Sequence, residues 1–212
     1  LNTKSVIVEY LCVRIKYLRE IINKIAVYCA SSTGNDPKFK ETAYQLGKTF
    51  ADKKISLVYG GGNVGLMGAI ADGVMENDGH TIGVLPYFLA QKELAHNGIS
   101  EMILVETMHE RKAKMCELAE GFIALPGGFG TMEELFEMLT WAQLSLHRKP
   151  VAILNINGYY DHLIEFIDRM VESQLLKEEY RTMLIVGNEI EDLLNQIMKY
   201  EAPKNDKWFV TK

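Results

Sequence analysis

The stretch that decides the fold is Phe122-Ile-Ala-Leu-Pro-Gly-Gly-Phe-Gly-Thr-Met-Glu-Glu134. Its first four residues form an apolar run of the kind that is buried in a parallel sheet. Three glycines follow, and Thr131 is expected to cap the helix that comes next. A strand, a glycine-rich turn and a helix in this order are typical of α/β sheets, which bind ligands at the carboxyl ends of their strands.

Outward from this stretch, short apolar runs alternate with amphipathic segments. We therefore predict one doubly wound, Rossmann-like α/β domain over residues 23–201, with a mainly parallel sheet of about seven strands and helices on both faces. The predicted strands are Ile25–Cys29, Ile55–Tyr59, Thr81–Leu85, Met102–Val105, Phe122–Leu125, Val151–Leu154 and Met183–Val186. The predicted helices lie near residues 37–53, 64–77, 108–120, 131–146, 159–174 and 189–199.

The two ends of the chain fall outside this pattern. Residues 1–22 are expected to form an amphipathic N-terminal extension, and residues 202–212 a polar tail. The apolar residues near the start are interrupted by charged residues, which argues against a membrane span.

Composition restricts the classes of ligand that the protein can bind. The net charge of −5 argues against nucleic-acid binding, because no excess of lysine or arginine is present to neutralise a phosphate backbone. Cys12, Cys29 and Cys116 are scattered and odd in number, which predicts reduced thiols and a cytoplasmic location. No histidine or cysteine spacing matches a metal site, and we expect neither a metal nor a cofactor.

The first glycine-rich turn follows the strand that ends at Tyr59. Residues 60–65 contain the G-x-G-x-x-G spacing of a dinucleotide-binding turn. NAD binding also requires an acidic residue about 20 positions further on, and the next strand ends without one. Three interpretations stay open: a turn without a ligand, NAD binding, or a turn whose backbone, including Gly61 and Gly62, contacts a substrate phosphate.

A second glycine motif is a false lead. Gly47-Lys48-Thr49 resembles the end of a P-loop, but Thr42 stands where that motif needs a glycine. The tripeptide also lies inside an amphipathic helical pattern, and we interpret it as solvated helix surface.

Two carboxylates, Glu133 and Glu134, are expected in the first turn of the helix that follows the second glycine-rich turn. Acidic residues there commonly do no more than complement the helix dipole. Their position at the carboxyl end of a parallel strand favours a ligand site instead. Glu133, Glu137 and Thr140 share one helical face, whereas Glu134 points about 100° away, so the two adjacent carboxylates should have different roles.

Two adjacent cations begin another helix. Thr107 and Glu110 match a capping box, which places Arg111 and Lys112 in the first helical turns. Positive charge is unfavourable there. The pair therefore either meets an anion bound at nearby helix ends or belongs to the solvated surface, and the sequence leaves both open.

The helix predicted from residue 131 to 146 is too apolar for a single stripe that faces the core. A homodimer interface would bury the surplus. The apolar residues concerned are Leu135, Phe136, Met138, Leu139, Trp141 and Leu144.

Residues 126–134 fit the pattern P-G-G-x-G-T-x-x-E, and with Arg111-Lys112 upstream they resemble the LONELY GUY family of cytokinin riboside 5′-monophosphate phosphoribohydrolases. The similarity covers about residues 24–200 and includes the segments at 27–32, 59–62, 65–68 and 141–143. It implies hydrolysis of the N-glycosidic bond of an adenine-type nucleoside 5′-monophosphate, either N6-prenylated or plain, to free base and ribose 5-phosphate. It also implies a homodimer without a metal.

The same resemblance implies roles for individual residues. Arg111 and Glu134 would be the catalytic pair, with Glu134 stabilising positive charge on the ribose and Arg111 either binding the phosphate or polarising the leaving base. The implied substrate-binding residues are Glu93, Lys112, Gly127, Gly128, Gly130, Thr131, Glu133 and Thr140. Such proteins are often labelled lysine decarboxylases, but no Schiff-base lysine site for pyridoxal phosphate is evident here.

Two rival functions are weighed against this hydrolase. A non-catalytic nucleotide-binding or carrier protein would keep the glycines but tolerate the loss of Glu134 and Arg111, and both residues are present. An NAD-dependent oxidoreductase is opposed by the missing acidic residue.

Overall fold

A computed structural model describes residues 22–90 and 95–203 of the chain. The predicted N-terminal extension lies outside the described residues except for Ile22. The predicted polar tail lies outside the described residues from residue 204 onward. The predicted substrate-binding residue Glu93 also lies outside them.

Seven strands form one sheet within the described ranges. They are β1 (Lys24–Tyr28), β2 (Ser56–Tyr59), β3 (Thr81–Pro86), β4 (Glu101–Val105), β5 (Gly121–Ala124), β6 (Val151–Leu154) and β7 (Leu184–Gly187). All neighbours are parallel, in the order β4-β3-β2-β1-β5-β6-β7. The seven predicted strands and the doubly wound α/β class are thus confirmed, with no strand end displaced by more than one residue.

The helices of the described ranges connect these strands. They are α1 (Pro37–Asp52), α2 (Gly65–Met75), α3 (Tyr87–Ala90), α4 (Met108–Leu118), α5 (Phe129–Gln143), α6 (Asp161–Glu172), α7 (Glu178–Arg181) and α8 (Ile190–Lys199), with a 3₁₀ turn at Ile156–Gly158. The six predicted helices are present. The sequence does not predict α3, α7 or the 3₁₀ turn, because segments this short cannot show a helical period.

Helices cover both faces of the sheet, and alternation along the strands explains why. Successive strand residues point to opposite faces. On β1, Ile25 and Val27 therefore enter the core beneath α1, α2 and α8. Ala26 and Tyr28 enter the core beneath α4, α5 and α6.

The start of α5 differs from the prediction. Gly128 is the N-cap, and Phe129 and Gly130 already belong to the helix, so Thr131 is not the capping residue. Glu133 and Glu134 accordingly lie in the second helical turn rather than the first. The sequence analysis had assigned all the glycines to the turn. Gly130 instead continues the helix, and the Thr131 side chain is buried against Gly127.

The interpretation of residues 47–49 as solvated surface is wrong in part. They do lie within α1, but Gly47 and Thr49 are buried. A Cβ at Gly47 would overlap the carbonyl oxygen of Ile70 on α2, and a Cβ at Gly73 of α2 would overlap that of Tyr44. The glycines therefore allow α1 and α2 to pack backbone against backbone.

Strand order brings three loops to one edge of the sheet. Strand β1 lies between β2 and β5. Strands β2 to β4 extend the sheet on one side of β1, and strands β5 to β7 extend it on the other. Doubly wound sheets bind ligands at the point where the strand order reverses in this way. The loop after β1 is bonded to both glycine-rich turns: Ala30 N donates to Pro126 O at 3.2 Å, and Leu66 N donates to Ala30 O at 3.0 Å. Gly65, at φ +63°, lies so close to Ser31 that a side chain would not fit. Both turns therefore meet at the carboxyl ends of β1, β2 and β5.

Candidate active site

An arginine–glutamate pair lies at this edge. Arg111 of α4 and Glu134 of α5 approach to 3.7 Å between Nη2 and Oε1, and their side chains are only 12% and 11% exposed. Arg111 Nε is also buried and lacks a hydrogen-bond partner among the described residues. The solvated-surface interpretation of Arg111 is therefore wrong, because its charge is buried against a carboxylate.

The cap of α4 sets the position of Arg111. Thr107 Oγ1 accepts from Glu110 N at 3.1 Å, and the Glu110 carboxylate accepts from Glu106 N at 2.8 Å. The predicted Thr107 cap is thus confirmed, with the glutamate reaching one residue further back than in the standard box. The cap fixes where α4 begins, so that Arg111 faces α5 one turn later.

The first glycine-rich turn makes room for this arginine. A Cβ at Gly60 would overlap the Arg111 guanidinium, with Nη2 as the nearest atom. Sequence reasoning missed this role of Gly60, because nothing local to the turn indicates which distant side chain it will accommodate. At least one glycine of the G-x-G-x-x-G spacing is therefore needed to leave space for an arginine side chain.

Gly61 and Gly62 are packed against other protein segments. Gly61 has φ +73°, and its carbonyl accepts from His96 N at 2.9 Å. Gly62 forms an isolated antiparallel bridge with Ala95. These contacts explain why the turn is held in place, and the predicted contact of both glycines with substrate stays a prediction.

A second set of charges lies beside the pair. Lys112 is 7% exposed, and its Nζ donates to Glu133 and, at 3.1 Å, to Glu137. Burial lowers the pKa of Lys112, but the two hydrogen bonds and charges outweigh burial and raise it. Lys112 is therefore held protonated between two carboxylates, one turn apart on α5.

The two adjacent carboxylates face different partners, as their helical positions predict. Glu133 is 55% exposed and pairs with Lys112, whereas the buried Glu134 pairs with Arg111. Glu137 was noted only as sharing the face of Glu133, and its contact with Lys112 was not foreseen. Its other oxygen, Oε2, is buried without a hydrogen-bond partner in the described part of the chain.

Thr140 lies one turn further along α5 and away from these charges. Its hydroxyl donates to Phe136 O at 2.7 Å, and the residue is exposed beside an apolar groove. The structure brings Arg111, Lys112, Glu133 and Glu134 together, but it does not bring Thr140 into that cluster.

Ionisation of Glu134 is strongly perturbed. Burial raises its pKa to about 7, against the opposing effect of the Arg111 guanidinium. The neighbouring carboxylates Glu133 and Glu137 also raise it, while Lys112 lowers it. A buried carboxyl group with a pKa near neutrality, beside a specific charge partner, is a candidate general acid or base.

The second glycine-rich turn leaves open space at the start of α5. A Cβ at Gly128 or Gly130 would meet no atom within 4 Å. Gly130 precedes Glu134 by four residues, so this open space lies over the same helical face as the Glu134 carboxylate. The first amides of α5 have no acceptor within the helix and no side-chain cap, which favours an anion at this helix end.

A groove of about 700 Å³ lies elsewhere among the described residues. Its lining includes Lys38 of α1, Asn157 of the 3₁₀ turn and Glu191 of α8, but none of the predicted site residues. The candidate site is therefore defined by the buried charges at the glycine-rich turns and not by the volume of this groove.

Residues 22–90 and 95–203 contain no group of three or more histidine, cysteine, aspartate or glutamate side chains that could hold a metal. None of their helices is long and apolar enough to cross a membrane. Cys29 and Cys116 are buried and free, and the cytoplasmic location stays a prediction.

Sequence comparison identifies related proteins. A family model described as "Possible lysine decarboxylase" matches residues 67–197. The cytokinin riboside 5′-monophosphate phosphoribohydrolase LOG7 of Arabidopsis thaliana is 44% identical over 84% of this chain and 82% of its own length. LOG2 of the same plant is 44% identical over 89% of this chain and 88% of its own. The LOG enzyme of Oryza sativa subsp. japonica is 42% identical over 86% and 75%.

Solved structures share the fold. The molybdenum cofactor carrier protein of Chlamydomonas reinhardtii superposes with a TM-score of 0.65 at 20% identity, over 84% of this chain and 99% of the carrier. A molybdenum cofactor binding protein from Rippkaea orientalis gives 0.63 at 21%, over 84% and 96%. At such identities the likeness shows the fold alone.

The residues present do not fit the chemistry that the family model's description suggests. A decarboxylase that uses pyridoxal phosphate needs a lysine whose amine is free to form a Schiff base. Lys112, the buried lysine of this site, is held protonated by Glu133 and Glu137.

The raised pKa of Glu134 predicts a pH-dependent stability difference. In an unfolded chain this carboxyl has its usual pKa of 4.5, but in the folded protein its pKa is about 7. The folded state therefore binds more protons between these values, and Glu134 increasingly destabilises it as pH rises. Relative to wild type, Glu134→Gln should gain up to about 3 kcal/mol in unfolding free energy between pH 4.5 and 7, and no more above.

Urea unfolding of both proteins across pH 5 to 8 measures this difference. Loss of the partner of Arg111 shifts the whole curve of the variant by a constant, so the slope of the difference is the test. A difference that stays flat with pH would contradict the buried, high-pKa assignment.

Proposed function

The chain belongs to the family of cytokinin riboside 5′-monophosphate phosphoribohydrolases, and we propose that Arg111 and Glu134 are its catalytic pair. The protein is a hydrolase that cuts the N-glycosidic bond of adenine-type nucleoside 5′-monophosphates, which releases the free base and ribose 5-phosphate. The observation that carries the residue assignment is the buried contact of Arg111 with Glu134 beside open space at the glycine-rich turn.

In the proposed mechanism Glu134 acts at the sugar. As the bond between C1′ and the base breaks, the ribose ring becomes positively charged, and an ionised carboxylate beside it stabilises that charge. The same carboxylate orients the attacking water and accepts its proton as the water oxygen bonds to C1′, while the departing base takes the electron pair of the broken bond and then a proton. A pKa of about 7 suits this exchange, because the group can both release and take a proton near neutral pH.

Arg111 supports Glu134 electrostatically. Its guanidinium lowers the pKa of Glu134 and so counters the effect of burial, which keeps a useful fraction of the carboxylate ionised. The unpartnered Nε leaves a buried donor for an acceptor on the substrate. The phosphate and a ring nitrogen of the leaving base both meet that description.

The phosphate is assigned to the start of α5. The amides that follow Gly128 lack helical acceptors, and the absence of side chains at Gly128 and Gly130 gives access to them. The exposed Glu133 is assigned to the ribose hydroxyls, with Lys112 holding its carboxylate in place. The phosphate and the ribose then each have their own contact.

We also propose a homodimer. Phe136 and Leu139 of α5 line an apolar groove of about 190 Å³ together with Met170 and Leu176. Further apolar side chains are exposed on this part of the chain, including Leu146 at 61%. An apolar groove together with exposed apolar side chains supports a subunit contact.

The catalytic pair is tested by substitution. Glu134→Gln and Arg111→Ala should each lower kcat for AMP at least about 100-fold, as is typical when a positioned charged group is removed. Glu117→Gln is the matched control, because it removes an exposed carboxylate of the 3.1 Å ion pair with Lys114 on α4. Near-normal turnover by a folded Glu134→Gln protein would overturn the assignment.

The substrate class is tested by the phosphate. Binding energy from the phosphate orients the sugar at Glu134, so its removal should depress turnover as well as affinity. We expect AMP or an N6-substituted analogue to give base and ribose 5-phosphate by chromatography, with a far lower kcat/KM for the matching nucleoside. Equal values would argue against a phosphate site. Binding of AMP without any products would instead favour a carrier.

The dimer is tested in solution. Sedimentation equilibrium over a micromolar concentration series should give at least twice the mass of one chain, because dimerisation would bury the apolar surface beside α5. A stable monomer throughout that range would count against the proposal.

A further inference from the structure

Two tyrosines reach the backbone of the second glycine-rich turn from a neighbouring loop. The Tyr159 hydroxyl donates to Gly127 O at 2.7 Å, and the Tyr160 hydroxyl donates to Leu125 O at 2.6 Å. Both residues follow the 3₁₀ turn after β6. The end of β5 and the start of the turn are therefore held by side chains that lie outside the glycine motif.

The bond from Tyr159 fixes one peptide group. In a trans peptide the C=O and N–H bonds point in opposite directions. With the Gly127 carbonyl turned toward Tyr159, the Gly128 N–H must point to the other side. A peptide flanked by two glycines has little steric preference for one orientation, so an external hydrogen bond can decide it.

Tyr159 is itself held in position. Its ring packs edge-on against Phe39, with centroids 5.5 Å apart, and against Tyr160, with centroids 4.9 Å apart. Its backbone N–H donates to Ile156 O at 3.1 Å. The hydroxyl thus extends from a fixed ring, although the residue is 45% exposed and takes no part in the ion network.

We propose that Tyr159 is a positioning residue for the 5′-phosphate, because it aims the Gly128 N–H toward the anion site at the start of α5. The inference rests on the proposed function, which places the phosphate at that turn. Tyr159 acts through the Gly127–Gly128 peptide and does not touch the reacting atoms. Its loss should weaken contacts to the phosphate and spare those to the base and ribose.

Tyr159→Phe removes the hydroxyl and keeps the ring that packs on Phe39. Tyr44→Phe is the matched control, because the Tyr44 hydroxyl donates to Glu76 at 2.6 Å, away from the glycine-rich turns. Competitive inhibition of AMP hydrolysis is measured with two probes, ribose 5-phosphate, which carries the phosphate, and adenosine, which does not.

Tyr159→Phe should raise KM for AMP and Ki for ribose 5-phosphate about threefold to tenfold, the scale of one hydrogen bond. Ki for adenosine should stay within about twofold, which is smaller than one hydrogen bond would produce, and Tyr44→Phe should change none of the three constants. Equal weakening of both inhibitors, or of neither, would overturn the role. Wild-type protein that fails to cleave AMP would instead refute the proposed function, whatever Tyr159 does.

Discussion

The site depends on a buried guanidinium that one glycine makes room for. Arg111 occupies the space that a side chain at Gly60 would fill, and it forms an ion pair with Glu134 at 3.7 Å. Each charge offsets part of the cost of burying the other. The strand order is what lets them meet, because it puts the turn after β2 beside the helices that flank β5.

The charge balance of the cluster explains how one site can handle both a phosphate and a developing cation. Three carboxylates, on Glu133, Glu134 and Glu137, accompany two cations, on Arg111 and Lys112. The surplus negative charge suits a positively charged ribose but repels a phosphate. In the proposed mechanism, backbone amides at the start of α5 therefore take the phosphate, because they bind an anion without adding a charged side chain to the cluster.

Local patterns in the sequence predicted the sheet, the family resemblance supplied the pairing of Arg111 with Glu134, and long-range packing accounts for what both missed. Every strand was visible as a short apolar run, and the separate faces of Glu133 and Glu134 followed from helical spacing. Gly60, Glu137 and Tyr159 were missed because each acts on a residue from another element. The start of α5 was misplaced because Gly130 continues a helix that its residue type disfavours.

The backbone bonds between the three loops have a consequence for folding. Ala30 links the turn after β2 to the turn after β5 through its own amide and carbonyl. These contacts join distant parts of the chain, and closing the loops between those parts costs conformational entropy. The contacts offset that cost only when β1, β2 and β5 have all assembled. A nascent chain whose synthesis has not reached β5 contains Gly60 but lacks the anion site. Enzymatic activity should therefore appear only in the last, fully assembled state of the sheet.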